Sequence, residues 1–218
     1  MAYSLREERY DRIWYKFAQR LLPNPCDDFR TVLDVGAGAC EFPRLARSRG
    51  YVVTCLDISQ PDAARAGRLS FDALVADSNR NLPFVADSFG GAFLLDVIEH
   101  IFCAEHLVSE LSRVVRPGGF LLVSTPNYAW VLNRITHLLG MSPDGEGYHH
   151  RFFTRNVLRN LLLAGGFEVV QKSSWTYPLP LLNRVRRVLR WSRVDWSVPD
   201  PLESILAYSF VWLCLNHK

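Results

Sequence analysis

Residues 31 to 40 read Thr31-Val32-Leu33-Asp34-Val35-Gly36-Ala37-Gly38-Ala39-Cys40, and this stretch decides the fold. A short β-branched and apolar run ends in an acid and then in two glycines one residue apart. That is the pattern of a buried strand that turns sharply into a helix. Glycine reaches positive φ without steric cost and, lacking a Cβ, lets a ligand approach the backbone, while the N–H groups of the following helix point toward it. Such a turn suits a nucleotide-like ligand.

The neighbouring residues narrow the choice of ligand. A dinucleotide fingerprint reads G-x-G-x-x-G, and Glu41 stands where its third glycine would be. At the end of the next apolar run, Val52-Val53-Thr54-Cys55-Leu56-Asp57, an acid lies about 20 residues past the turn, well placed for a ribose diol. In these residues the chain resembles the class I S-adenosylmethionine-dependent methyltransferases. The family's first motif looks like Leu33 to Cys40, its second acid like Asp57, and its later signature like Leu111 to Thr125, LSRVVRPGGFLLVST. The resemblance runs from Thr31 to Val170, with the three motifs in the family's order. Cys40 departs from it, since the family often has a glycine there.

The resemblance implies S-adenosylmethionine as cofactor. Gly36 and Gly38 would lie against it, Asp34 would order its amino-acid end, and Asp57 would take the ribose hydroxyls. Asp77 with Ser78 would meet the adenine, and Ile58 and Asp96 complete the expected cofactor set.

Strand and helix patterns alternate along the chain. Strands are expected over 52–58, 72–77, 91–97, 120–124, 167–172 and 207–216 besides the first, and helices over 41–49, 62–67, 104–115, 129–139 and 154–164. Alternation of this kind gives an α/β fold, a doubly wound, seven-stranded, mostly parallel sheet with helices on both faces. By the resemblance, the last strand is the antiparallel one, inserted beside the sixth. Asp34, Asp57, Asp77 and Asp96 all fall near strand carboxyl ends, where ligands of such sheets bind. An acid there is otherwise a helix cap.

With 218 residues and 49% apolar composition, one domain suffices to bury a core. Within the single domain 1–218, residues 1–25 read as a capping helix, 126–153 as an acceptor-side insertion and 176–201 as a basic amphipathic insertion. The formal charge is only +3, and Arg184, Arg186, Arg187, Arg190 and Arg193 account for more than that excess. The basic character is therefore local, so no DNA is expected and RNA is a poor fit. The five cysteines form no C-x-x-C pair, which fits a reducing, cytoplasmic setting. Nothing at the N-terminus has the apolar core of a signal peptide. Residues 181–194 place apolar side chains opposite the arginines, leaving a packed surface helix and a peripheral membrane contact both open.

The acceptor side rests on Asp96-Val97-Ile98-Glu99-His100 and on His149-His150. If a helical turn follows the fourth strand, Asp96, Glu99 and His100 face one way. Two readings stay open. His100, His149 or His150 serves as a general base toward a hydroxyl, because imidazole titrates near neutral pH. Alternatively, Asp96, Glu99, His100 and His149 hold a divalent ion, an arrangement that looks like that of metal-dependent O-methyltransferases. The base is the preferred expectation. The functional expectation is methyl transfer to an oxygen of a small or lipid-linked acceptor, with a dinucleotide-dependent oxidoreductase or a non-catalytic cofactor-binding interaction protein as rivals. Acceptor identity and oligomeric state are not written in the sequence.

Overall fold

The computed structural model describes residues 15–141, 149–176, 198 and 202–218. Seven strands form one sheet: β1 (Thr31–Val35), β2 (Val52–Asp57), β3 (Asp72–Val75), β4 (Phe89–Leu95), β5 (Val115–Pro126), β6 (Phe167–Trp175) and β7 (Ser209–Asn216). Their order is β3-β2-β1-β4-β5-β7-β6. Pairs among β1 to β5 are parallel, whereas β7 runs antiparallel to both of its neighbours. Strand order reverses at β1 and β4, so the switch point lies between their carboxyl ends.

Among the described residues the α-helical segments are α1 (15–21), α2 (Glu41–Ser48), α3 (Gln60–Arg68), α4 (Ala104–Val114), α5 (Val131–Leu138), α6 (Arg155–Ala164) and α7 (Glu203–Leu206). Side-chain alternation along the strands sorts the core into two layers. Ala92 and Leu94 of β4 join Leu107, Leu111 and Leu158 from α4 and α6. Phe93 and Leu95 face the other way, toward Phe17 of α1, Phe42 and Ala46 of α2, and Ala66 of α3. Burial on both faces requires the continuous apolar run that β4 carries, all seven residues of which are buried.

Several boundaries differ from the sequence expectation, each for a local reason. Arg116-Pro117-Gly118-Gly119 does not separate α4 from β5 but lies inside β5, in an irregularity between the pairs Phe89–Val115 and Gly91–Phe120. A side chain on Gly119 would meet the Gly90 carbonyl, so glycine permits this close approach. β3 stops at Val75, leaving Asp77 in the following turn. α3 starts earlier, at Gln60, because Ser59 caps it by accepting the Asp62 N–H at 3.4 Å. Thr154 caps α6 in the same way, through the Val157 N–H.

The N-terminal helix is described only from residue 15, where Phe17, Ala18 and Leu21 are buried against the sheet. The turn-rich stretch at 142–147 and the basic helix expected at 181–194 lie outside the described residues. Residues 126–153 leave and rejoin the sheet side by side: Asn127 forms an isolated parallel bridge with Phe153, and Tyr128 N–H donates to the Phe153 carbonyl at 2.9 Å. Among the described residues no helix is long and apolar enough to cross a membrane.

Candidate active site

The glycine turn closes on β2. Gly36 N–H donates to the Leu56 carbonyl at 2.7 Å, and Gly38 N–H to Asp57 Oδ2 at 2.9 Å. Asp57 is the last residue of β2 and also accepts the Ser59 N–H at 2.8 Å, so one carboxylate orders both loops. Three residues of the turn, Gly36, Gly38 and Cys40, have positive φ. The strain at Cys40, φ 58°, is the cost of the missing glycine at that position, and no side chain caps α2 there. A Cβ on Gly38 would meet no atom nearer than the Gly36 carbonyl at 4.0 Å, so this side of the turn faces open space.

Asp34 lies inside β1, one residue before its end, and is buried. Burial, reinforced by the Asp57 charge, pushes its pKa from an ordinary 3.8 to about 7. A buried acid beside an open turn suits a cationic ligand, which would hold it ionised. Ile58 is exposed beside Asp57, and Ser78 is buried. Asp77 accepts both the backbone and side-chain N–H groups of Asn79, at 2.9 and 3.0 Å, and these bonds hold its carboxyl below the usual range. Asn79 in turn accepts Phe102 N–H at 2.9 Å, tying this turn to the loop after β4.

The acceptor side begins where β4 ends. Asp96 has φ 52°, and its N–H meets Ser124 while Ser124 Oγ donates back to Asp96 Oδ1 at 2.7 Å. A single 3-10 turn, Ile98–His100, follows in place of a regular α-helical turn. The expected common face therefore splits. Glu99, His100 and His149 come together, with one ligand atom from each lying within 4.8 Å of the others, and Asp96 is outside that group. The left-handed backbone at Asp96 and its Ser124 partner account for the separation.

Glu99 is 3% exposed and accepts the Thr125 hydroxyl at 3.0 Å. Burial, and then the nearby Asp96 charge, raise its pKa well above the ordinary carboxylate range. Its backbone carbonyl accepts both His150 and Arg151 N–H groups, at 2.9 and 3.0 Å, which docks the end of the insertion onto the 3-10 turn. The His100 and His149 rings lie 5.0 Å apart, whereas His150 turns outward and stacks on Phe102 at 3.9 Å. Arg151 grips Glu105 of α4 through two hydrogen bonds of 2.6 and 2.7 Å. Sequence reading did not single out Ser124, Thr125 or this Arg151–Glu105 clamp. Ser-Thr at the end of a strand carried a usable signal, but a pair 46 residues apart carried none.

The two halves adjoin at the switch point, the cofactor-type turn on β1 and β2 and the histidine cluster after β4. A mostly parallel sheet in the order 3-2-1-4-5-7-6, with β7 antiparallel, a glycine turn after β1 and an acid ending β2, defines a class I S-adenosylmethionine-dependent methyltransferase fold. Residues 5–172 match the family model described as a methyltransferase domain, and the chain belongs to that family. It is similar to a Mycolicibacterium smegmatis protein named "Probable S-adenosylmethionine-dependent methyltransferase", with 31% identity over 167 residues, 76% of this chain and 62% of that one. A "Ubiquinone biosynthesis O-methyltransferase" of Brucella anthropi is 26% identical over 170 residues, covering 71% of this chain and 66% of the relative. The chain thus spans less than two thirds of the length of these relatives. An S-adenosylmethionine-dependent methyltransferase structure from Archaeoglobus fulgidus superposes with a TM-score of 0.71 at 18% identity, over 98% of this chain and 99% of that one. Family membership removes the dinucleotide oxidoreductase, in line with Glu41, which opens α2 where that class needs its third glycine.

Proposed function

We propose that this chain transfers a methyl group from S-adenosylmethionine to an oxygen of a small or lipid-linked acceptor. The observation that supports it is the meeting of the open glycine turn with the Glu99–His100–His149 group, which puts a cofactor-type loop beside groups that handle protons. The relative named for O-methylation in ubiquinone biosynthesis supports oxygen as the acceptor atom.

The turn fits the cofactor. Asp57 would take the ribose hydroxyls, Asp34 the cationic amino-acid end, and the open side at Gly38 leaves room that a side chain would fill. When bound, the cofactor supplies an electrophilic methyl carried on a sulfonium. The protein's work is then to orient the acceptor and to move its proton. His149 is the base in this reading. It is half-buried, faces His100, and is held by the docking of 150–151 on the Glu99 carbonyl. Asp77 and Ser78 border the adenine end.

A second reading has one observation in its favour: Glu99, His100 and His149 present three ligand atoms close enough for a divalent ion. A carboxylate with two imidazoles suits such an ion with positions left for acceptor oxygens. We keep the histidine base as the lead reading, with cytoplasmic residence as part of the same proposal.

Calorimetry with S-adenosylmethionine and with NAD, followed by labelled transfer to phenols with and without a lipid tail and to amines, tests the proposal. Binding of S-adenosylmethionine alone and label on oxygen are expected. Label confined to amines would overturn the oxygen assignment, and tight binding with no transfer to any acceptor would favour a non-catalytic role.

A further inference from the structure

Gly38 is held by both of its backbone polar groups. Its N–H donates to Asp57 Oδ2 at 2.9 Å, and its carbonyl accepts a guanidinium N–H of Arg65 at 3.2 Å. Neither partner belongs to the turn, since Asp57 ends β2 and Arg65 sits on α3. The N–H and the carbonyl of one residue lie in the two peptide planes that its φ and ψ relate, so holding both fixes the backbone at Gly38.

The two partners are themselves joined. Asp57 Oδ1 accepts the Ser59 N–H at 2.8 Å, Ser59 Oγ accepts the Asp62 N–H at 3.4 Å, and Asp62 Oδ1 accepts Arg65 Nη1 at 2.6 Å. These bonds close a ring that leaves Gly38 through its N–H and returns through its carbonyl. The same Nη1 serves both Asp62 and Gly38, so Asp62 aims the guanidinium at the turn. As an i, i+3 pair on a helix surface, Asp62 and Arg65 would contribute little to stability. Their reach to Gly38 gives the pair another use.

The turn needs such a hold. Cys40 has φ 58°, a region that a residue with a Cβ occupies at a cost, and no side chain caps α2 there. Glycine at this position would carry no such cost. With cysteine the turn has a driving force to relax, and Arg65 opposes it two residues away. The Gly38 carbonyl that Arg65 holds also accepts the Cys40 thiol at 3.7 Å, so the two side chains act on one peptide.

We propose that Arg65 is a positioning residue for the cofactor. Aimed by Asp62, it locks the Gly38 peptide and thereby keeps Asp57 and the open side of the turn in register for S-adenosylmethionine. It acts through Gly38 rather than by touching the ligand. The proposal rests on the reading of this turn as the cofactor site.

Wild type, Arg65→Met, Arg65→Lys, Asp62→Ala, Cys40→Gly and the Arg65→Met/Cys40→Gly double variant are compared by calorimetry with S-adenosylmethionine. Amide exchange at Gly38 is read in the same proteins without ligand. Asp62→Ala keeps the cap of α3, because Ser59 bonds the Asp62 backbone. Arg65→Met and Asp62→Ala are each expected to weaken binding roughly five- to tenfold, the effect of one charge-assisted hydrogen bond, and to speed Gly38 exchange. Arg65→Lys, which keeps a charged donor, recovers most of both losses. Melting temperatures stay within a few degrees of wild type, since Arg65 and Asp62 are both partly exposed. In the Cys40→Gly background the cost of Arg65→Met falls to about twofold or less, because the turn no longer strains against its hold. An equal loss of affinity in the two backgrounds overturns the proposal and makes Arg65 a direct ligand contact. A sharp fall in melting temperature with unchanged affinity overturns it in favour of a structural role. Wild type that binds no S-adenosylmethionine overturns this proposal and the cofactor reading together, whereas binding and exchange that Arg65→Met leaves intact overturn the proposal alone.

Discussion

Gly36 and Val97 pack so closely that a β-carbon on Gly36 would overlap the Val97 Cγ2 methyl. This contact joins the cofactor-type turn to the first residue pair after β4, and so fixes the distance between the two halves of the site. Gly36 also has φ 77°, where an L side chain is strained. Gly36→Ala should therefore destabilise the fold by about 2–4 kcal/mol, the sum of overpacking and backbone strain. Gly38→Ala meets strain but no overlap, so it should melt closer to wild type while losing cofactor affinity. Adding Val97→Ala should recover part of the Gly36→Ala loss. Melting curves of the three proteins decide this, and no recovery in the double variant would mean that the overlap is not the cause.

Asp34 should make stability and cofactor affinity depend on pH. Its folded pKa, about 7, lies above the unfolded value. The folded chain then binds the proton more tightly, so this contribution is fully present below about pH 4 and fades as pH rises through about 7. It is worth at most roughly 4 kcal/mol, and a cationic ligand would offset the loss by favouring the ionised form. The ligand-free protein should lose melting temperature between about pH 4 and 7 and level off above, and S-adenosylmethionine should bind more tightly as pH rises over the same range. Asp34→Asn should flatten the affinity profile. Its melting profile should keep a residual slope, because Glu99 is raised in the same direction by burial and Asp96.

The succession of strands and helices and the cofactor turn were legible because each depends on local pattern, whereas the place of β7 beside β6 came from the family resemblance and the order of the other strands from the structure. The β1 run, the two glycines and Asp57 sit where apolar periodicity and turn chemistry alone would put them. The acceptor side was legible only in its residue types. Asp96 was expected to share a face with Glu99 and His100, but that expectation assumed an α-helical turn, and the chain makes a left-handed residue followed by a 3-10 turn. Ser124 and Thr125, from a strand far away in sequence, decide where Asp96 and Glu99 point. Position 116–119 shows the same limit: Pro117-Gly118-Gly119 reads as a loop, yet pairing with β4 on both sides carries it inside β5.

The Arg151–Glu105 clamp should matter for the acceptor and little for folding. Glu105 is mostly exposed, so the pair contributes only about 0.5 kcal/mol to stability. It nevertheless anchors the segment that carries His149 and His150. Arg151→Ala should leave the melting temperature within a few degrees of wild type and leave S-adenosylmethionine affinity unchanged, while raising the acceptor KM several-fold. Glu105→Ala should behave alike, and the double variant should be no worse than either. Additive losses in the double variant would show that the two residues act separately.

Chelation separates the two readings of the Glu99–His100–His149 group. With a histidine base, treatment with a chelator leaves the rate intact, and the rate rises with pH as the imidazole loses its proton. The loss should then fall chiefly on His149→Ala, by about 10²–10³-fold in kcat, with His150→Ala near wild type because its ring stacks outward on Phe102. Glu99→Gln keeps the shape and the Thr125 contact, so it should cost much less than His149→Ala. With a bound ion the pattern inverts: the carboxylate becomes a ligand, Glu99→Gln and His149→Ala become equally damaging, and added metal restores chelated protein. Elemental analysis of protein prepared without chelator, followed by rates before and after chelation, reads out the difference. The expected result is metal-free protein with an undiminished rate, and a rate abolished by chelation and restored by a divalent cation would transfer the activating role from His149 to the ion.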